Sequence, residues 1–237
     1  MQNIRRELRS SLIEINWQIL TWRNSLPDRG VYNSALQDLV CGMKHAVIVA
    51  HPSRESFTST VASAYRDAGL AAGHDVIYRD LYAMHFDPCL PEAELPWSKH
   101  FAVRDDVLAE RALLNDVDVF AVVYPLWLNA PPAILKGYFE RVFGMGFAYR
   151  SDGRANAPML ARRKLISFTS SGAPTEWVIQ SGAWHSMRAL FDSHFATVCG
   201  LEVVDHIHFG SIVPGIRADS IERDLERVRQ AFSSHFA

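Results

Sequence analysis

Hydrophobic and polar positions follow two periods along this chain. Short apolar runs rich in β-branched residues stand between longer stretches of three- and four-residue spacing. The runs read as strands buried on both faces, and the stretches as amphipathic helices. Ala46-Val47-Ile48-Val49-Ala50 is the first strand. After the loop His51–Glu55 and Ser56, the residues Phe57, Val61, Ala64, Tyr65, Ala68 and Ala72 recur at helical spacing, and Gly73 stops that helix. Val76-Ile77-Tyr78 predicts a short second strand, 81–100 a long loop rich in Pro, His and aromatics, and 103–115 a polar-faced helix. Val117–Tyr124 is a third strand, broken by Pro125. Pro131 and Pro132 stand where a helix should begin, with Ile134, Leu135, Tyr138, Phe139, Val142 and Phe143 as its apolar face. Lys164–Thr169 predicts a fourth strand, Ala183–Val198 a helix stopped by Gly200, and Leu201–Ile207 a fifth strand. Ile221, Leu225, Val228 and Phe232 mark a last amphipathic helix.

This alternation implies a mainly parallel sheet with helices on both faces, joined by right-handed crossovers. Five strands fit the doubly wound, flavodoxin-like α/β order 2-1-3-4-5, in which ligands bind beyond the carboxyl ends of the strands. The loops after strands one, three and four then converge: His51–Thr58, Pro125–Pro131 and Thr169–Trp184.

Residues 1–42 stand apart from this pattern. Ile4, Leu8, Leu12, Ile15, Ile19 and Trp22 predict one or two amphipathic helices. Arg5, Arg6 and Arg9 are mixed with Glu7 and Glu14, and there is no apolar core with a small-residue cleavage site, so the stretch does not read as a secretory signal. A docked extension, a membrane-surface helix and a stretch upstream of a start at Met43 are the readings open to it. The chain divides accordingly into an N-terminal helical extension, 1–42, and a domain, 43–237. The strand pattern begins near Lys44, so the extension is expected to be dispensable for the fold.

Composition narrows the function classes. Of 237 residues, 49% are hydrophobic and 21% charged, as in a globular protein with a substantial core rather than a disordered, collagen-like or repeat chain. A formal charge of −2 offers no basic balance for nucleic acid. Cys41, Cys89 and Cys199 form neither a CxxC pair nor a disulfide ladder, which fits a reducing cytoplasm. The uncharged apolar runs fall short of the ~20 residues that span a bilayer.

The three loops carry the candidate chemistry. Ser56, Phe57 and Thr58 sit at a helix N-terminus, where free N–H groups and the helix dipole favour an anion; taken alone, Ser56 reads equally as a cap. No GxGxxG follows the first strand and no GxxxxGK[ST] occurs, against a dinucleotide Rossmann domain and a P-loop nucleotidase. Pro125, Leu126, Trp127, Leu128 and Asn129 form an apolar, aromatic stretch suited to a flat heteroaromatic ring, though a Trp there also reads as packing. Thr169, Ser170, Ser171 and Gly172 are small and polar, and let a ligand approach backbone donors. His185, just beyond, can share a proton with a developing anion or be an ordinary helix-surface histidine. His206 and His208 share a strand face and read as a surface pair in preference to a weak metal site; no metal is expected.

Several stretches also carry a resemblance: Ala50-His51-Pro52, Ser56-Phe57, Asp80-Leu81-Tyr82-Ala83-Met84, Pro125-Leu126, Pro132–Gly137, Phe139–Phe143, Phe147-Ala148-Tyr149 and Thr169–Gly172. From 44 to about 208 the chain resembles the NAD(P)H:quinone oxidoreductases of the flavodoxin-like fold, the DT-diaphorase-like proteins. That resemblance implies a tightly held flavin, FAD or else FMN, with NAD(P)H as hydride donor. It also implies two-electron, ping-pong reduction of a quinone-like acceptor, and a homodimer with its active site at the interface. By resemblance His51, Ser56, Phe57 and Thr58 contact the phosphates. Pro125 to Asn129 and Thr169 to Gly172 line the isoalloxazine, Tyr149 lies near substrate, and His185 matches the catalytic histidine. The chain departs from the family pattern at Thr58, Leu128, Ser151 and Trp177, the last standing where a catalytic tyrosine is expected. Two other readings remain: a flavin-binding ancillary subunit of a potassium-efflux system, which shares the Pro125–Tyr149 pattern, and a structural domain without flavin.

Overall fold

The structure, a computed structural model, describes residues 42–151 and 156–237. The expectations for residues 1–41 lie outside the described residues. Among the described residues seven strands run in chain order: β1 Lys44–Val49, β2 Asp75–Asp80, β3 Val119–Pro125, β4 Tyr149–Ser151, β5 Asn156–Pro158, β6 Lys164–Ser170 and β7 Glu202–Phe209. The helices are α1 Phe57–Ala71, α2 Asp105–Leu114, α3 Ala133–Val142, α4 Thr175–Gln180, α5 Ala183–Met187, α6 Ala196–Cys199 and α7 Ala218–Phe236. A π-helical segment, Arg188–Phe195, bridges α5 and α6.

The main sheet has the order β2-β1-β3-β6-β7, every pair parallel. This is the 2-1-3-4-5 arrangement that the strand–helix alternation predicts. The central strands β1 and β3 are mostly apolar because both faces are covered. Ala46, Ile48, Phe120 and Val122 pack with Leu114, Leu135, Tyr138 and Cys199 on one face. Val47, Val49, Val119 and Ala121 pack with Val61, Tyr65, Val228 and Phe232 on the other, under α1 and α7.

The loop 81–100 is held by a buried cation. Arg141, on α3, is 1% exposed. It donates to both carboxylate oxygens of Glu94 at 2.9 and 2.8 Å, to Asp106 at 2.8 and 3.0 Å, and to the Asp87 carbonyl at 2.7 Å. Bidentate pairing of this kind satisfies a buried guanidinium and ties loop, α2 and α3 into one unit.

Two elements differ from the pattern-based expectation. The helix expected over Ala183–Val198 is interrupted by the π-helical turn, whose wider spacing places Asp192 inward, 2% exposed. The pair β4–β5, joined antiparallel, is too short for its apolar period to register in the sequence.

Candidate functional site

The carboxyl ends of β1, β3 and β6 bring the three loops together around a cavity of about 190 Å³. His51, Ser56, Phe57 and Thr58 form one wall, and Pro125, Leu126 and Trp127 the second. Ser170, Ser171, Gly172 and Ile212 form the third.

The first wall is the start of α1. Ser56 is its N-cap: Oγ accepts from the Ser59 amide at 3.1 Å. That bond settles one of the four donors a helix start leaves open, so the first-turn amides of Phe57 and Thr58 remain for a ligand. The His51 Nδ1 accepts from the Ser53 amide at 3.0 Å and fixes the loop that leads into the helix.

The second wall ends in a tight hairpin. Trp127 and Ala130 exchange backbone bonds at 2.9 and 3.1 Å around Leu128 and Asn129, whose φ angles are +52° and +57°. Two successive positive φ angles define a type I′ turn, a conformation that suits Asn and costs Leu. Leu128 points wholly into solvent at 102% exposure, while Trp127 is partly exposed with its ring centroid 5.9 Å from that of His51. The Leu126 amide donates to the Ser170 carbonyl at 2.7 Å and stitches the second wall to the third.

In the third wall Ser170 and Ser171 are nearly buried, and a Cβ placed on Gly172 would meet nothing closer than 3.8 Å. Thr169 lies one layer below the cavity lining, 1% exposed. Its Oγ1 is 3.0 Å from His206 Nε2 and 3.0 Å from His208 Nδ1. Here the sequence reading needs correction. His206 and His208 are not a surface pair but buried, at 7% and 6% exposure, beneath the Trp184 ring. Their strand face is covered by the π-helical segment, whose Asp192 accepts from His206 Nδ1 at 2.8 Å. Burial first, then His206 and Arg227, lower the His208 pKa to about 4. Sequence reasoning missed Asp192 altogether; the one available signal was the pair of histidines two apart on the last strand.

A second cavity, of about 360 Å³, shares His51 with the first and is otherwise lined by Pro52, Arg54, Asp80, Tyr82, Ala83 and His85. Asp80 shapes it by accepting from the amides of Tyr82 and Ala83 at 3.1 and 3.0 Å.

Besides Thr169 beneath the lining, four of the expected site residues do not line the first cavity. Leu128 and Asn129 occupy the exposed hairpin tip, and His185 is exposed on α5. Tyr149 lines a separate apolar groove of about 480 Å³, with Trp97, Phe101, Phe139 and Leu190 among its walls. Trp177 is half-exposed on α4.

A family model described as a flavodoxin-like fold matches residues 43–232. An uncharacterised NAD(P)H oxidoreductase of Haemophilus influenzae is 32% identical over 171 residues, covering 72% of this chain and 85% of the relative. NAD(P)H dehydrogenase (quinone) 1 of Rattus norvegicus is 28% identical over 218 residues, 81% of this chain and 79% of the relative. Among solved structures, an NAD(P)H:quinone oxidoreductase from Methanothermobacter marburgensis superposes with a TM-score of 0.70 at 29% identity, covering 83% of this chain and 100% of that one.

Proposed function

Because this chain belongs to the family of the flavodoxin-like fold, we propose that it is a flavin-dependent NAD(P)H oxidoreductase that reduces a quinone-like acceptor. The observation that carries this reading is the meeting of three chemically different walls in one cavity at the carboxyl ends of the strands. A flavin needs an anion seat, a flat apolar surface and donors at its ring edge. The residues fit each need: the α1 start for phosphate, Pro125, Leu126 and Trp127 for the ring plane, and Ser170, Ser171 and side-chain-free Gly172 for the edge. The names carried by the relatives support parts of this reading: NAD(P)H oxidation for the one from Haemophilus influenzae, and NAD(P)H with a quinone for the one from Rattus norvegicus.

A bound flavin would supply the hydride-transfer chemistry between NAD(P)H and the acceptor. The chain's own part is to hold, orient and neutralise. The first-turn amides of Phe57 and Thr58 hold the phosphate, and His51 orders the loop beside it. Leu128 and Asn129 extend the ring-binding wall outward. Thr169 supports Ser171 through His208, which bonds to both hydroxyls. Tyr149 and His185 are assigned to the acceptor side, His185 as a proton donor or charge partner.

The second cavity favours FAD over FMN. It opens beside the phosphate end, shares His51, and offers the Arg54 cation and the Tyr82 ring to a second nucleotide half. The large groove supports a homodimer, since Trp97 at 79%, Leu190 at 65% and Phe101 at 39% exposure present large apolar side chains along one face. No described helix is long and apolar enough to cross a membrane. The free, exposed Cys89 fits a reducing, cytoplasmic setting.

Heat release and chromatography of the cofactor test the assignment. FAD in about one-to-one ratio with chain is expected. FMN would correct the cofactor and empty the second cavity of its role, and a protein that binds neither would overturn the function.

A further inference from the structure

A line of buried polar groups runs from the π-helical segment to the cavity. Asp192 accepts from His206 Nδ1 at 2.9 and 2.8 Å, and His206 Nε2 meets Thr169 Oγ1 at 3.0 Å. Thr169 Oγ1 meets His208 Nδ1 at 3.0 Å, and His208 Nε2 meets Ser171 Oγ at 3.0 Å. Ser171 lies on the cavity wall, and its hydroxyl also reaches the Ala173 carbonyl at 2.8 Å. All five residues are less than 9% exposed.

The direction of every bond in this line follows from its first member. A carboxylate only accepts, so Nδ1 of His206 carries a proton. If His206 is neutral, its Nε2 is bare and the Thr169 hydroxyl must donate to it. Thr169 then accepts from Nδ1–H of His208, whose bare Nε2 draws the Ser171 hydroxyl proton inward. If His206 carries a second proton, on Nε2, each bond reverses. Nε2–H donates to Thr169, Thr169 to His208 Nδ1, and Nε2–H of His208 to Ser171. The Ser171 proton is then free to point outward, at Ala173 or at a ligand in the cavity. One proton added at His206 thus turns Ser171 from a group facing the cavity with lone pairs into a donor. His208 stays neutral in both arrangements and only exchanges its protonated nitrogen.

We propose that Asp192, His206, Thr169 and His208 form a proton-storing relay that makes Ser171 a hydrogen-bond donor to the bound cofactor when negative charge develops in the cavity. This rests on the flavin reading above. A hydride brings two electrons and one proton, hence one negative charge, into the site. The relay takes one proton from solvent and keeps it on His206, paired with Asp192, while Ser171 turns toward the charge. No proton needs to leave the relay for the cofactor. Neither Asp192 nor the histidines line the cavity, so all act as positioning residues.

Other charged and titratable groups face the relay from neighbouring elements. Arg188 Nε lies 3.2 Å from Asp192, and Asp205 accepts from the His206 backbone amide at 2.7 Å. Arg227, from α7, acts on His208 and helps to keep it uncharged. His235 pairs with the far oxygen of Asp205 at 3.5 Å. The Tyr124 hydroxyl is buried with no hydrogen-bond partner among the described residues, and burial together with Asp192 opposes its ionisation. It therefore does not compete for the proton.

The test uses nitrogen NMR of histidine-labelled protein without added flavin, titrated from about pH 8 to about pH 5. The expected signature is a shared midpoint: as His206 gains its Nε2 proton, His208 changes from the Nδ1–H to the Nε2–H form without becoming charged. Thr169→Val should break the coupling, leaving His208 in one form while His206 titrates, and Thr169→Ser should restore it. Asp192→Asn should move the His206 midpoint to lower pH. A His208 that keeps one tautomer through the His206 titration in the unaltered protein overturns the relay, as does coupling that survives Thr169→Val.

A second arm measures binding of FMN and FAD, oxidised and dithionite-reduced. Thr169→Val should weaken the reduced form about ten-fold, the loss of one charge-assisted hydrogen bond, and the oxidised form by less than about two-fold. Equal affinities for the reduced form in both proteins overturn the inference. A coupled tautomer switch in a protein that binds neither flavin overturns the flavin reading instead, and with it the ligand assigned to Ser171.

Discussion

Leu128 bears two costs at once: a left-handed backbone angle and an apolar side chain entirely in water. Strain of that kind at a cavity rim points to use of the side chain by a ligand or a partner. Leu128→Asn keeps the turn and relieves the angle, so the unfolding free energy should rise by about 1 kcal/mol. Denaturant titration checks this, and a lower stability would show that Leu128 is held by packing instead. His185 stands at the same scale but in a different position, exposed on α5. If it serves the acceptor, His185→Ala should slow acceptor reduction on the order of 10²-fold in stopped-flow measurements. Unchanged rates in both half-reactions would make it an ordinary surface histidine.

Single residues were legible where the local rule was local. Ser56 as a cap follows from its place before the periodic run Phe57, Val61, Ala64, and the cap bond is present. His206 and His208 were misread because strand alternation reports which residues share a face, not whether that face is covered. Only the π-helical segment decides that, and a π turn leaves no mark in an apolar pattern of period 3.6.

At the scale of elements, Arg141 organises what the sequence shows as a loop. Its partners Glu94 and Asp106 lie 47 and 35 positions away, so no spacing rule could pair them. The main strands, in contrast, were legible because burial on both faces writes them as continuous apolar runs. Removing one partner of a buried ion pair strands the other, so Arg141→Met should destabilise by roughly 3–5 kcal/mol. Proteolysis should then cut first within 81–100. Wild-type resistance to cleavage there would contradict the role given to Arg141. The walls of the cavity were legible for a related reason: once the strand order is known, the ends of β1, β3 and β6 must meet. What the order could not supply was the layer beneath, Thr169 to Asp192, which depends on side-chain depth.

For the whole molecule, acid sensitivity follows from buried histidines. His45 is fully buried, bonded to Tyr65 and His74 at 2.9 and 2.8 Å, and burial, with His74 and Lys164, lowers its pKa to about 3. His208 is lowered to about 4, burial again the largest cause. The unfolded chain binds protons at these positions from about pH 6.5 downward while the folded chain does not, so stability falls as the pH drops through that window. At about pH 5 each histidine withdraws about 2 kcal/mol, a sizeable part of a domain's net ~5–15 kcal/mol. Asp106 adds to the loss at lower pH, since its hydrogen bonds from Arg141 hold its carboxyl below the usual range and are forfeited on protonation. Urea midpoints at neutral pH and at about pH 5 should differ accordingly, and identical midpoints would contradict neutral, buried histidines.

The central claim is that three loops of one sheet build a flavin site that exchanges hydride with NAD(P)H. The purified protein, freed of oxygen and given NADH or NADPH in an optical cell with no acceptor, tests it directly. A yellow protein should lose its flavin absorbance with at least one of the two nucleotides and regain it when a quinone is added. A protein whose bound flavin stays oxidised with both, or that carries and takes up no flavin, would contradict the account.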